Sequence, residues 1–522
     1  MSRSSRRRMV LAALTTSALV LSGCAGADSP EPTPGEPTLA DGPDAQPAPV
    51  FEGVHEAFVS RPDLADFPAE ATEGPAIDDL REGYIALTPM LTETAPEDQP
   101  LASLILDTSG QPVWINNREG LSPEHDAVNN LQFAELDGEP VLVWWEGAAR
   151  AGWGHGDIVI ADTSFQELHR LSAAGGAETV GADFHELHLT DNDTLLLAYY
   201  QPHPMDLSEF GGPVDGWVSS GLFQEYDLLT GEILFEWDSI DHVPVSATQW
   251  DFVERNANNE AIGSEGWPFD YFHINSINYD GEDTDTFLIS ARQTHAVYSI
   301  DRHTGDINWT LGGENSDFEM TGDSYFAWQH DAQRAEDGTI RILDNSSEPP
   351  IREESRVVWL ELDEEAGTAS VAEQVDPPTP RVAPNRANAQ RLDSGELLVG
   401  WGGEPYLTKY NEQGETVIDV HHDPYVSYRA YFAGADWSAQ PTDTPAVFAD
   451  GESLFVSWNG ATDVTQWRVS AGSDAEDAEF VTDQPRDGFE TQIAQPEGDY
   501  IAVQALDEVG DVLATSFIAR EG

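Results

Sequence analysis

Three histidines recur at one position of a repeated phrase. His185 lies eight residues before Asp193, His273 eight before Gly281 and His330 eight before Gly338, and each time an apolar strand, a turn and a second strand follow. The same count back from Gly138 and Gly395 falls on Asn130 and Ala387. Imidazole serves as a nucleophile, a general acid or base, or a metal ligand. Arg292 ends the strand that follows His273, so a hairpin would return it to the same end as the histidine. A guanidinium fork is poor company for a divalent cation, whereas it can hold a sulfuryl or phosphoryl oxyanion through two hydrogen bonds. The residues therefore favour oxyanion chemistry over a metal centre. A single histidine is ordinarily a satisfied structural residue; three of the chain's 14 in one register make a shared site the better reading. His125, His155, His203, His303 and the His421-His422 pair have no such register and are assigned to surface or loops. His188, three residues after His185, should face the other way along a strand.

Positioning these groups requires a ring. A second phrase, strand, turn and strand often ending in Trp, recurs six times: SLILDTSGQPVWI (103–115), DIVIADTSFQELHRL (157–171), LFQEYDLLTGEILFEW (222–237), AVYSIDRHTGDINWTL (296–311), VVWLELDEEAGTASVAEQV (357–375) and YLTKYNEQGETVIDV (406–420). Interleaved with the histidine phrases, these supply about four short strands per unit at a period of roughly 50–75 residues, which predicts an all-β fold, a six-bladed β-propeller over residues 55–440. A double-sheet jelly roll is the runner-up and leaves the repetition unexplained. In a propeller the innermost strands line a central channel, so equivalent positions converge there. GYIALTP (83–89) reads as the lone strand that opens the first hairpin, with ring closure borrowing a strand from the other end.

The rest of the chain frames this unit. Residues 1–23 carry four arginines and an apolar run from Met9 to Leu21, then Leu21-Ser22-Gly23-Cys24, which reads as a lipoprotein signal peptide with Cys24 lipidated, by either a general or a twin-arginine export route. Cys24 is the only cysteine, so no internal disulfide can form. Residues 24–54, acidic and Pro-rich, read as a tether holding the protein on the outer face of the cell membrane. Residues 441–522 show about seven short alternating strands, the pattern of an immunoglobulin- or fibronectin-like β-sandwich with Trp458 and Trp467 in its core. The net charge of −71, from 95 acids against 24 bases, excludes nucleic acid as a partner; loss of residues 1–23 would take it to −75.

Residues 270–313 (DYFHINSI…FLISARQTHAVYSIDRHTGDINWTLGG), with FHELHLT, WQHDAQ and NAQRLDSGELLVGWG, resemble the arylsulfotransferase family of bacterial exported proteins, and the resemblance extends over most of residues 55–440. FVSRPDL (58–64) is similar to the start of the actinomycete and fungal branch. The resemblance implies a six-bladed propeller that moves a sulfuryl group from an aryl sulfate to a phenol through a sulfohistidine, without a nucleotide donor or cofactor. It matches His330 to the nucleophile of the Gln-His phrase, and His273 and Arg292 to residues lining the sulfuryl site. His185 matches the remaining histidine, although the family's His-His-Asp is here Phe184-His185-Glu186, and the cysteine pair of the periplasmic enzymes is missing. On this reading Arg292 and one protonated histidine meet the charge on the sulfuryl oxygens. Two alternatives are a metal-dependent enzyme using the same histidines and a non-catalytic surface propeller binding a ligand or protein. Oligomeric state is not readable from the sequence.

Overall fold

Each recurring phrase folds as an antiparallel hairpin, and the turn residues explain why. Asp107, Asp162, Asp227 and Asp301 each turn a carboxylate oxygen onto two backbone N–H groups of the turn that follows, and Asn411 does the same through its amide oxygen. Side-chain acceptors of this kind replace backbone partners that a tight turn leaves unmet. The computed structural model describes residues 43–519 except 93–99, 119–126, 151, 176, 178–179, 256–260 and 282–283. The signal segment and Cys24 lie outside the described residues, as does most of the tether.

The fold is nearly all-β and propeller-like. Six four-stranded antiparallel units follow one another in sequence, and three of them gain a short extra strand. Their first strands contact one another in a closed succession: Tyr425–Gly434, Ala127–Leu136, Leu187–Leu189, Ile274–Tyr279, His330–Arg334, Asn388–Arg391 and again Tyr425–Gly434. Closure comes from the far end of the chain. Tyr425–Gly434 pairs antiparallel with Gly83–Leu91, the segment containing GYIALTP, so the first unit joins residues more than 300 positions apart.

Apolar layers between neighbouring units hold the ring. Leu288, Val297 and Trp309 of one pack on Ile340, Ile342 and Val358 of the next, and Leu343, Val357 and Trp359 pack in turn on Ala389, Val399 and Trp401. Being buried on both faces, the middle strands read as continuous apolar runs such as LLLAYY (195–200) rather than as alternation.

One ion pair spans the axis. Arg429 makes a two-pronged contact with Glu186 at 2.8 and 3.1 Å and also donates to the Asn275 carbonyl at 2.9 Å, and both side chains are buried. Replacing Arg429 with Met strands the Glu186 carboxylate, so chemical denaturation should show a loss of about 3–5 kcal/mol, largely recovered when Glu186→Gln is added. A loss no larger than that of an exposed pair would mean the contact carries little of the fold.

Residues 446–519 form two further sheets. One comprises Ala446–Asp450, Ser453–Ser457 and Glu490–Ala494; the other comprises Gln466–Gly472, Glu479–Pro485, Tyr500–Leu506 and Val512–Ala519, with Gln46–Pro47 added in parallel at its edge. They share a core containing Trp458 and Trp467, whose indole N–H groups donate to Asp443 and Thr491. Asn459 bonds both the N–H and the carbonyl of Ile115, which ties these sheets to the first unit of the ring.

Candidate active site

The hairpin register places Arg292 against His273. Ile274 pairs with Ala291, and one step further the Arg292 N–H donates to the His273 carbonyl at 2.9 Å. His273 adopts φ +56°, a left-handed conformation rarely taken by a side chain of this size, and it is fully buried. Its Nδ1–H donates to the Asp270 carboxylate, which leaves Nε2 as the free lone pair, with no partner among the described residues.

His185 meets His273 edge-on, with ring centroids 4.6 Å apart and planes at 82°. Its Nδ1 bonds Asp183 Oδ1 at 2.5 Å, and its ring stacks on Phe184 at 4.4 Å. Tyr200 and Tyr428 wall the pair: the Tyr200 ring lies 5.9 Å from His185 and 5.8 Å from His273, and the Tyr428 ring 5.5 Å from His185. The Tyr200 hydroxyl donates to the Ile274 carbonyl at 2.6 Å. The Tyr428 hydroxyl is buried with no partner among the described residues.

His330 begins the first strand of the next unit, and its tautomer is dictated by its neighbours. The Asn345 amide donates to the carbonyls of Ala383 and Arg386, both at 3.1 Å, so its oxygen faces His330. Nδ1 therefore carries the proton and donates to Asn345 Oδ1 at 2.7 Å and the Trp328 carbonyl at 3.1 Å. Nε2 carries the lone pair and accepts the Arg386 backbone N–H at 3.1 Å.

Electrostatics joins the four groups. Burial holds the His273 and His330 imidazoles well below the ordinary range, and the nearby Arg292 charge lowers both further, so both are neutral at neutral pH. Burial raises Asp270 to about 6, against the pull of Arg292 and His185. Arg292 stacks over Trp328 at 4.3 Å and donates to Gln293 at 3.2 Å; no carboxylate among the described residues forms an ion pair with it. The expected protonated histidine in the oxyanion clamp is thus not supplied by His273 or His330, because burial disfavours their charged forms. The fixed positive charge beside them is guanidinium.

A cavity of about 350 Å³ opens beside this cluster, with walls that include Trp153, Tyr200, Trp250, Trp267, Phe269 and Asp270. Such a volume lined with rings accepts an aryl group, and Asp270 and Tyr200 belong to both the cavity and the histidine cluster. A separate cavity of about 950 Å³ is formed by later residues of the inner strands, including His188, Gln333, Gln390 and Tyr431. His188 lies there, away from His185, as strand alternation requires. Glu186 also reaches this second cavity and is occupied by Arg429. Among the described residues no group of three or more His, Cys, Asp or Glu side chains is placed to hold a metal ion.

All four predicted site residues, His185, His273, His330 and Arg292, therefore meet in one neighbourhood. The residues that orient them were not singled out beforehand. Asn345 follows the second strand of its hairpin just as Arg292 does, so the rule that found one would have found the other. Asp183 and Asp270 stand two and three positions before their histidines, a signal submerged among 95 acids. Tyr428 and Arg386 have no local signal.

A family model described as arylsulfotransferase (ASST) matches residues 132–423. No curated protein matches the chain. Among solved structures, a protein of unknown function from Bacteroides caccae is 11% identical with TM-score 0.39, the match covering 67% of this chain and 98% of that one. A catalytically inactive variant of virginiamycin B lyase from Staphylococcus aureus with quinupristin is 11% identical with TM-score 0.33, covering 76% and 97%. A streptogramin B lyase is 13% identical with TM-score 0.32, covering 76% and 95%.

Proposed function

The chain belongs to the arylsulfotransferase family, and we propose that it transfers a sulfuryl group from an aryl sulfate to a phenol through a sulfohistidine at His330. One observation carries the choice of nucleophile: Asn345 and the Trp328 carbonyl hold the proton on Nδ1, so Nε2 of a neutral imidazole is the nitrogen with electrons to give. In the first half-reaction the Nε2 lone pair attacks sulfur in line, the N–S bond forms, and the S–O bond to the aryl group breaks with departure of the phenolate. In the second, the acceptor phenol oxygen attacks sulfur and the electron pair returns to Nε2. Arg292 meets the charge on the sulfuryl oxygens in both steps, from a position fixed before substrate arrives.

In the second half-reaction the acceptor phenol gives its proton to Nε2 of His273, from which it passes to the released phenolate or to water. The His273 Nε2 lone pair is unpartnered and close to the aromatic cavity, where the phenol oxygen would lie, and the Asp270 carboxylate behind Nδ1 strengthens it as a base. The carboxylate supports the base only when ionised, so turnover should be highest above the Asp270 pKa and fall as pH drops through about 6. Asp270→Asn should reduce kcat by roughly 10²-fold and remove that inflection, the scale of impaired general-base catalysis. A pH–rate profile of the variant that keeps the inflection near 6 would assign it to another group. His185, held by Asp183 and stacked on Phe184, walls the sulfuryl site from the side facing His273.

The same proposal includes export and anchoring through residues 1–24. Cys24→Ser should shift the protein from the membrane fraction to the soluble exported fraction on cell fractionation, and unchanged partitioning would rule out the lipid anchor.

A further inference from the structure

Arginines in this chain seldom lack an acid, because acids outnumber basic residues 95 to 24. Arg302 is paired with Glu225, Arg334 with Asp280, Arg356 with Asp344, Arg381 with Asp419 and Arg429 with Glu186. Arg386 departs from this pattern. Among the described residues its half-buried guanidinium has neither a carboxylate nor a hydrogen-bond partner; partial burial disfavours its charge, and the group that favours it is the Tyr428 hydroxyl, itself unpartnered. Arg292 is near enough to be disfavoured by it. Asp270 offsets the Arg292 charge in part, and no carboxylate does so for Arg386, so the two guanidiniums together favour an anion beside them.

The backbone of Arg386 is equally placed. Held at φ +64°, it aims its N–H at Nε2 of His330, the lone pair that must reach sulfur. When that lone pair becomes an N–S bond, the N–H loses its acceptor and three sulfuryl oxygens arrive beside it.

We propose that Arg386 is a second sulfuryl-binding residue beside Arg292, whose guanidinium and backbone N–H hold the sulfuryl oxygens of substrate and sulfohistidine, the N–H capping His330 Nε2 before substrate binds. The proposal rests on sulfuryl transfer at His330. It makes the ligand-free site a receptor for a tetrahedral oxyanion, which inorganic sulfate can probe without any turnover.

The experiment compares wild type, Arg386→Gln and Arg386→Lys. Thermal unfolding is followed while sodium sulfate is titrated at constant ionic strength, and steady-state transfer is measured between a phenyl sulfate and a phenol. Wild type should show a saturable rise in Tm with sulfate. Arg386→Gln should lose most of that rise, melt no lower than wild type without sulfate, and lose roughly 10²- to 10³-fold in kcat/KM, the scale of removing one oxyanion donor. Arg386→Lys, which keeps the charge without the fork, should recover part of the loss. An equal sulfate response in wild type and Arg386→Gln overturns the proposal even if His330 proves to be the nucleophile. Arg386→Gln that melts well below wild type, with no recovery by lysine, overturns it in favour of a structural role. A sulfate response that depends on Arg386 in a protein that transfers no sulfuryl group upholds the anion site and removes the transfer reading instead.

Discussion

His330→Gln should abolish covalent turnover, lowering the rate of sulfuryl transfer by about 10⁴-fold or more, the scale of losing a covalent nucleophile. The loss should fall on kcat, with aryl sulfate binding largely retained, because the aromatic cavity and Arg292 are untouched. Glutamine keeps a donor for Asn345 Oδ1, so circular dichroism should show an intact fold. The variant should also release no phenol when given donor alone. Residual transfer within tenfold of wild type would mean the nucleophile lies elsewhere in the cluster, with His185 and His273 the next to be tested in the same way.

Arg292→Gln should reduce kcat/KM by roughly 10²- to 10³-fold, because it removes the fixed charge aimed at the sulfuryl oxygens. It should also leave the protein as stable as wild type or more so. Burial disfavours the Arg292 charge by more than the Asp270 carboxylate restores it, so the wild-type site stores electrostatic cost that the neutral variant relieves. The effect on His330 has the same origin: Arg292 helps to hold that imidazole neutral, and without it the His330 pKa should rise. Activity and melting temperature measured on one preparation give the test. A fall in both, in proportion, would mark Arg292 as a packing residue lying over Trp328 and not as a substrate contact.

Much of this site could be read from the sequence because repeats convert spacing into geometry. Counting back from each turn placed three histidines at the same end of consecutive inner strands, and the hairpin after His273 placed Arg292 beside it. That closure borrows a strand from the other end was readable, but not that the strand is Tyr425–Gly434. That strand sits beside Gly83–Leu91 only after the ring closes, and nothing local distinguishes it from one more strand at the end of a domain. Tyr428 and Arg429 were invisible for that reason, and Arg386 because the counted position beside it, Ala387, carries no chemistry. Glu186 was legible only as a departure from a family pattern. In the structure it anchors Arg429 on the axis, so its identity answers to packing there. Histidine register does not report burial: His273 and His330 are 0% and 1% exposed, and neutral imidazole is what such positions favour, so neither supplies the protonated histidine expected in the clamp.

On this mechanism a sulfuryl group rests covalently on His330 between donor and acceptor. Mixing the protein with an aryl sulfate and no acceptor, quenching in base to spare the N–S bond, and mapping the peptides by mass tests it most directly. The expected result is a burst of phenol equal to the protein concentration and a gain of one SO₃ on the peptide containing His330, both abolished by His330→Gln and the label discharged by added phenol. Sulfuryl transfer to phenol at full rate with no SO₃ on any peptide, or with the label on a different histidine, would rule out a covalent intermediate at His330.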